Sequence, residues 1–253
     1  MNRYIRQTST LAISITSGLL IWEVAARVID NPVALVPPSL IFARIYEMFV
    51  SGMIWPHMAA SGLAFIYGYG LAVVAGVTLG LVLAELRLLR TLVDPWFDAL
   101  YATPMIVFAP VFIASMGIGI TSKVAVVFLV SFFPIVITTI AGARLADPKL
   151  LDMARSFGFS RAQITLKVRM PFALSSIIAG LRVASARGLI GVVVGELFGA
   201  RAGLGYVIYA ASQTFDTVGM YAGGVILMIL GILLNSAFRR LETYVAPWKT
   251  ADL

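Results

Sequence analysis

Charged side chains near or within the long apolar stretches of this 253-residue sequence include Glu23, Arg182, Arg187 and Glu196. A charge placed in hydrocarbon costs about 2.5 to 3.5 kcal/mol even on the more lenient insertion scale. Each of these residues must therefore find a partner or contact water or a polar solute. Two kinds of chemistry are open to them, namely ion pairs that hold helices together and transient contact with a charged solute.

The two arginines are expected to have different surroundings. If their helix enters a membrane near Pro171 and rises 1.5 Å per residue, Arg182 lies roughly 16 Å deep and Arg187 lies deeper. A separation of five residues places them about 140° apart around the helix axis. One can line a solute path while the other pairs with a neighbouring helix or a backbone carbonyl. Glu196 is the third candidate for this path, although its expected position near the outer end of the helix favours solvation at the membrane interface.

A basic loop between two apolar runs carries the most distinctive motif. It contains the stretch DMARSFG from Asp152 to Gly158, and Pro171 follows after a short apolar-basic segment. Glycine tolerates the left-handed dihedral angles that end a helix. Proline suits the first turn of a helix because its missing N–H has no partner there. The spacing predicts a short helix that ends near Gly158, followed by a return into the membrane at Pro171.

Catalytic, metal and phosphate sites are not expected in this chain. Residues 117–123 (GIGITSK) and 199–205 (GARAGLG) do not match the phosphate-loop pattern G-x-x-x-x-G-K-[ST], and neither lies between a predicted strand and a helix. The sequence has no cysteine and a single histidine, His57, which cannot form a zinc site alone. We expect no cofactor in this chain, so any ATP-driven work would have to come from a partner.

Composition indicates a membrane protein. Hydrophobic residues make up 60% of the chain and charged residues 12%, whereas soluble domains carry roughly a quarter charged residues. The mean hydropathy is +0.96. The net charge of +7 comes from basic residues between apolar runs, a distribution that indicates membrane topology and not nucleic-acid binding.

Six apolar segments are predicted to span the membrane: residues 11–29, 58–84, 99–122, 124–143, 172–199 and 217–238. Pro104 and Pro110 predict kinks in the third, and residues 31–56 are expected to be an exposed linker with a short amphipathic helix at 39–50. The domain division is 1–57 for the first helix and linker, 58–240 for the main membrane domain with the loop at 144–171, and 241–253 for a tail.

Glycines at Gly76 and Gly80, and at Gly191, Gly195 and Gly199, have the spacing that lets membrane helices approach closely. Packing within one subunit is favoured over a dimer face for these rows. 

Basic residues are distributed unequally between the two sides that six spans define. The side with both termini would hold Arg3, Arg6, Arg87, Arg90, Arg144, Lys149, Arg155, Arg161, Lys167, Arg169, Arg239, Arg240 and Lys249. The other side would hold Arg27, Arg44, Lys123 and Arg201. Because lysine and arginine concentrate in cytoplasmic loops, both termini and the basic loop are predicted to be cytoplasmic.

Over nearly its whole length the sequence resembles the permease subunits of ABC importers, in the nitrate, sulfonate and taurine branch. The basic loop is similar to their E-A-A-x-x-x-G loop, with Asp152 in place of Glu and Met153 in place of the first Ala. Further similar segments are residues 36–39 (VPPS), Pro104, 109–110 (AP), 117–119 (GIG) with Lys123, 132–134 (FFP), 180–182 (GLR), 195–196 (GE) and 203–205 (GLG).

The resemblance implies an all-α type I importer permease in the inner membrane, with six transmembrane helices and no enzyme activity of its own. It implies a second permease subunit in a homodimer, a cytoplasmic ATPase dimer and an extracytoplasmic solute-binding protein. The solute would be a small anion such as nitrate, a sulfonate or taurine, or alternatively a vitamin precursor or an aromatic acid. The residues expected to couple to the ATPase are Leu151, Asp152, Met153, Ala154, Arg155, Phe157, Gly158 and Pro171.

An ion-coupled carrier or channel is the alternative from another class. It would predict discontinuous helices in repeated halves and carboxylates at the membrane midplane. The sequence shows no such repeat and few acids within its apolar runs.

Anionic lipid is a further expected contact of the basic loop.

The charge distribution generates a labelling prediction. Cysteines introduced at Lys149 and Arg161 should react with an impermeant thiol reagent only from the cytoplasm, and a cysteine at Arg44 only from outside. The variants must first retain transport. The opposite labelling pattern would overturn the whole topology.

Overall fold

A computed structural model describes residues 2–31, 33–198 and 200–245, and within these ranges the chain contains helices and no strand. The helices are α1 (Asn2–Ile29), α2 (Pro38–Val50), α3 (Ile54–Glu85), α4 (Arg87–Ala102), α5 (Ala109–Met116), α6 (Ile120–Ala143), α7 (Pro148–Ser156), α8 (Arg161–Ile164), α9 (Met170–Leu197), α10 (Leu204–Gln213) and α11 (Thr217–Val245). A 3₁₀ turn (Met105–Phe108) precedes α5, and a π turn (Thr165–Arg169) joins α8 to α9.

Among the described residues, five helices are long and apolar enough to cross a membrane. They are α1, α3, α6, the continuous helix from Arg161 to Leu197, and α11. The pair formed by α4 and the segment Met105–Met116 also satisfies the criterion, but its halves are bent by 84°. Counting this pair as one broken span gives six, in agreement with the predicted number.

Side-chain contacts fix the relative direction of the central spans. Glu85, at the end of α3, pairs with Arg169 just before α9. Ser61, near the start of α3, bonds to Glu196 near the end of α9, so these helices run antiparallel. Lys123, at the start of α6, also reaches Glu196, and α6 therefore runs parallel to α3. We call the two ends of the molecule the Glu196 end and the α7 end.

Glycines bring α3 into close contact with α6. A Cβ atom added at Gly80 would lie 2.6 Å from Cβ of Thr139, and one at Gly76 would lie 2.9 Å from a methyl carbon of Ile135. A Cβ at Gly191 on α9 would meet Val130 of α6 at 2.8 Å. The prediction that these rows pack within one subunit is confirmed at these positions, while Gly199 lies outside the described residues.

The third predicted span, residues 99–122, was wrong as a single kinked helix. α4 ends at Ala102, Thr103 is extended with φ −75° and ψ 132°, and Pro104 opens the 3₁₀ turn. A residue that precedes proline is biased away from helical dihedrals, which explains the break at Thr103. Pro110 lies in the first turn of α5, where it costs no hydrogen bond, so it produces no kink.

The segment predicted as an exposed linker is also different in the structure. The short helix is present as α2, but Val36, Ile41 and Met48 are fully buried and pack in one cluster with residues of α10 and α11. The helix α10 was not predicted. An amphipathic pattern shows which face of a helix is apolar, but not which distant helix covers it.

The return into the membrane begins earlier than predicted. Ser160 and Gln163 form a capping box that starts α8, and the helix continues into α9. Pro171 does lie in the first turn of α9 as expected. Because proline has no N–H and its ring crowds the carbonyl four residues before it, the π turn directly before Pro171 accommodates it in a continuous helix.

The close packing of α3 on α6 generates a stability prediction. Gly80→Ala should destabilise the protein by about 1 to 3 kcal/mol because the added methyl overlaps Thr139 and cannot be accommodated without a shift. Gly70→Ala is the matched control, since a Cβ there meets nothing within 4 Å. Thermal unfolding in detergent measures both. An equal melting temperature for the two variants would contradict the packing described.

Candidate functional site

The helix α7 is defined at both ends by local hydrogen bonds. The Asp147 side chain accepts from the backbone N–H of Lys149 at 2.9 Å and caps the start. At the other end Gly158 has φ +77°, its N–H donates to the Arg155 carbonyl, and the N–H of Phe159 donates to Ala154. This is the Schellman arrangement, in which a left-handed residue satisfies the last carbonyls. The prediction that Gly158 ends the helix is confirmed.

Seven of the eight predicted coupling residues lie together on and just after α7, on different faces, whereas Pro171 lies apart from them in the first turn of α9. Ala154 is buried and Leu151 half-buried, so one side of α7 packs on the protein. Met153 is 53% exposed and Phe157 75% exposed. Asp152 and Arg155 form an exposed pair at 2.9 Å, which contributes little to stability. The open face of this polar helix thus carries large apolar groups.

An ion pair between the buried Arg169 and the half-buried Glu85 connects the segment after α7 with α3. Arg169 Nε lies 3.1 Å from Glu85 Oε2, and Arg169 Nη1 donates to the carbonyl of Ala84 at 2.8 Å. Thr165 donates to the same carboxylate at 3.3 Å. Arg169 was expected to be a loop charge, and the sequence gave no signal for its partner because 84 residues separate the two. The pair joins the π turn before α9 to the end of α3.

The structure separates the two arginines of α9. Arg182 Nη1 lies 3.1 Å from Glu242 Oε2 in the last turns of α11. One of the two arginines was expected to pair with a neighbouring helix, and Arg182 is that residue. Arg187 donates from Nη2 to the Tyr101 hydroxyl at 3.0 Å, and its guanidinium lies 5.0 Å from the centre of that ring. Among the described residues Arg187 forms no ion pair.

Arg187 and Tyr101 border a cavity of about 250 Å³ at the break in the third span. Other lining residues come from the break itself, from α6 and from α9: Thr103, Pro104, Phe133, Pro134 and Ile190. The walls are mainly apolar. Tyr101 was missed by sequence reasoning because nothing in the α4 sequence distinguishes it.

Glu196 is not solvated at an interface, as was expected, but completely buried. Its carboxylate accepts from the Ser61 hydroxyl at 2.8 and 2.9 Å and from the N–H of Gly205 at 2.9 Å, and Lys123 Nζ lies 3.4 Å away. Lys123 also donates to the carbonyl of Ala202 at 2.7 Å. The carboxylate therefore joins α3, α6, α9 and the start of α10. Sequence reasoning missed Ser61 and placed Lys123 in a loop.

Gly203 and Gly205 make room for this carboxylate. A Cβ at Gly203 would overlap the Glu196 carboxyl group, and its φ of +140° excludes most other residues. A Cβ at Gly205 would lie 2.6 Å from the carbonyl of Val193. The sequence 203–205 (GLG) thus serves close backbone approach. No group of three or more His, Cys, Asp or Glu able to hold a metal is present in the described part of the chain.

Comparison with known proteins identifies the family. A family model described as "Binding-protein-dependent transport system inner membrane component" matches residues 72–249. The chain belongs to this family. The permease is 33% identical to the formylaminopyrimidine transport permease ThiX of Halalkalibacterium halodurans, over 91% of its own length and 92% of that protein. It is 29% identical to the taurine transport system permease TauC of Escherichia coli, with 94% and 88% covered.

A solved structure supports the same fold. The permease superposes on a chain of the inward-facing MetNI methionine ABC transporter with a TM-score of 0.64 and 21% identity, covering 79% of this chain and 98% of that one. The permease therefore has the all-α type I ABC importer fold and is a multi-pass inner-membrane transport component.

The buried pair of Glu196 and Lys123 generates a second stability prediction. Glu196→Gln or Lys123→Met alone should destabilise the permease by about 3 to 5 kcal/mol, because each leaves the other charge buried and unpaired. The double variant should recover part of that loss. Thermal unfolding of the four proteins completes a double-mutant cycle.

Asp152→Asn is the control, since its pair with Arg155 is exposed. If the single variants are no less stable than this control, or if the two losses simply add, Glu196 and Lys123 do not depend on each other.

Proposed function

We propose that this permease is the membrane subunit of an importer driven by a separate cytoplasmic ATPase, and that it translocates a small, anionic solute. The observation that carries the proposal is the open apolar face of α7. Met153 on this nine-residue polar helix and Phe157 directly after it are large apolar side chains that are exposed in the single chain. Exposed apolar groups of this kind indicate a surface that another protein covers. The groove of an ATPase subunit is the partner that fits a short helix of this kind.

The geometry of α7 suits a contact that transmits movement from an ATPase to the membrane domain. The buried Ala154 allows close approach to the membrane domain, and the Schellman arrangement at Gly158 fixes the direction in which the chain leaves the helix. Phe157 lies at the end that Gly158 orients. Leu151, Asp152 and Arg155 complete the contact region in this proposal.

Movement of α7 would be transmitted through two connections. The chain continues from Gly158 through α8 and the π turn into α9, which carries both intramembrane arginines. The ion pair of Arg169 with Glu85 attaches the same segment to α3. Closure of an ATPase dimer would therefore displace α9 and α3 together, while the hydrogen bonds around Glu196 hold their other ends in register. Alternating access follows from such a rigid-body change.

The proposed orientation places the α7 end, and with it both termini, in the cytoplasm. Binding and hydrolysis of ATP with Mg²⁺ would occur in the partner ATPase. A solute-binding protein would dock at the Glu196 end, and a second copy of the permease would complete the path as a homodimer. Anionic lipid would contact the basic α7 end.

The solute class is the finer part of the proposal. The relatives named above transport taurine, an aminosulfonate, and formylaminopyrimidine, a heteroaromatic compound, so kinship alone leaves two classes open. Arg187, which forms no ion pair with any described residue, favours an anionic solute such as a sulfonate or nitrate. A pyrimidine vitamin precursor is the alternative, favoured by the relative with 33% identity.

Ion-coupled transport is disfavoured by the acids within the spans. Glu23 pairs with Arg27 at 2.6 Å and also accepts from Ser39. Glu196 is buried and fully bonded. Both carboxylates already have protein partners, so neither is an unpaired acid of the kind that a coupling ion would need.

Substitution at Gly158 tests the coupling role. Gly158→Val should abolish transport and ATPase stimulation while the permease still inserts, because a β-branched residue resists φ +77°. Gly158→Asn should keep most of both activities, since asparagine tolerates left-handed dihedrals. The measurement is ATP-dependent uptake and ATPase rate in proteoliposomes containing the complete transporter.

The pair of variants separates conformation from bulk, because no neighbour lies within 4 Å of a Cβ at Gly158. Normal transport by Gly158→Val would remove the α7 loop from the mechanism. A bulky residue at Ala154 should act like Gly158→Val.

A further inference from the structure

The cavity beside Arg187 lies inside the transmembrane region and not at either end. Arg187 precedes Glu196 by nine residues of the same helix, roughly 13 Å along its axis. The wall of the cavity across from Arg187 is formed by the break at Thr103, where the third span changes direction by 84°. A broken span at membrane depth is tolerated only where its backbone is covered by protein or lines a water-filled space.

Arg187 is exposed on the surface of the single chain, which is an informative location for a charge at this depth. A guanidinium facing lipid is strongly disfavoured, so this surface must face water or another protein chain. Its hydrogen-bonding partner in the cavity, Tyr101, is neutral. Arg182 shows the contrast, because the Glu242 carboxylate already pairs with it. Arg187 is thus the basic group of α9 that presents its charge to the cavity.

The remaining walls restrict what Arg187 can bind. Phe133, Pro134 and Ile190 offer apolar surface, and the volume of about 250 Å³ is below the roughly 300 to 1,000 Å³ of pockets for drug-sized ligands. The planar fork of a guanidinium matches the oxygen spacing of a carboxylate, and it pairs well with other oxyanions. A small solute with one anionic head and a short apolar body is complementary to this site.

We propose that the cavity is a binding subsite for the carboxylate or sulfonate group of a small solute, and that Arg187 exchanges its hydrogen bond with Tyr101 for that oxyanion. The Tyr101 hydroxyl holds Arg187 in the empty site and keeps the guanidinium positioned at the break. The proposal rests on the proposed function in placing the cavity on the solute path. Binding of an anion at Arg187 is testable without the ATPase.

The chain has no cysteine, so a single thiol reports on the cavity without further changes. Ile190→Cys places that thiol in the lining one helical turn from Arg187. Its reaction rate is measured on the full-length permease in detergent with two methanethiosulfonate reagents of similar size, the anionic sulfonatoethyl and the cationic trimethylammonioethyl compound. We expect a preference for the anionic reagent, relative to the same ratio for a free thiol in solution, of about tenfold or more.

Arg187→Gln in the Ile190→Cys background should remove most of this preference, and Arg187→Lys should restore it. Arg182→Gln is the matched control. It removes the same charge from the same helix at a paired position, and it should leave the preference within about twofold. Tyr101→Phe should keep or increase the preference, because it frees Arg187 without removing the ring. This variant also tests the proposal if Arg187→Gln does not accumulate.

Ethanesulfonate and propionate should slow the labelling, whereas choline should not. The proposal is overturned if neither reagent reaches the thiol, if the two react at their solution ratio, or if Arg187→Gln and Arg182→Gln change the ratio equally. These results are independent of ATP-driven transport. A permease that fails to couple to an ATPase but retains the Arg187-dependent preference would contradict the proposed function and leave this subsite intact.

Discussion

The buried carboxylate of Glu196 is the interaction on which the arrangement of the central helices depends. No water reaches it, so its charge must be compensated by protein groups, and these come from α3, α6 and the backbone before and within α10. A buried pair of this kind does not add much net stability compared with apolar packing, but removal of one partner is costly. The constraint therefore specifies which helix ends meet and in which register.

A similar contact at the opposite end joins Arg169 and Glu85, so α3 and α9 are fixed to each other near both of their ends. Between these two contacts the helices approach α6 through glycines, which favours a single rigid body. Arg187 and the broken third span lie beside this body at intermediate depth. The structure thus combines a rigid group of three helices with a discontinuous element that borders an open cavity, an arrangement suited to alternating access.

The sequence predicted the local features well. Gly158 ends α7 and Pro171 lies in the first turn of α9, because both effects depend on dihedral angles and hydrogen bonds within a few residues, although the helix that enters the membrane already begins at Arg161. The number of spans followed from hydropathy. The break at Thr103 did not, since Pro104 and Pro110 gave equal signals, and hydropathy does not show that the chain becomes extended at Thr103 while Pro110 lies in the first turn of a new helix.

Long-range partners were the part that the sequence could not supply. The burial of Glu196 depends on Ser61, which is 135 residues away, and on Lys123. The burial of α2 depends on α11, and the amphipathic pattern of α2 does not indicate which helix will cover its apolar face. In the α9 pair, the sequence predicted that the two arginines would differ. The Glu242 carboxylate that distinguishes them lies 60 residues beyond Arg182.

Photo-crosslinking of α7 to the ATPase tests the central claim most directly. A benzophenone amino acid replaces Phe157, which is 75% exposed after α7, or Tyr46, which is 70% exposed on α2. The account predicts a crosslink to the ATPase subunit from position 157 whose yield changes when ATP is added, and none from position 46. Equal crosslinking from both positions, or a crosslink from position 46 alone, would contradict it.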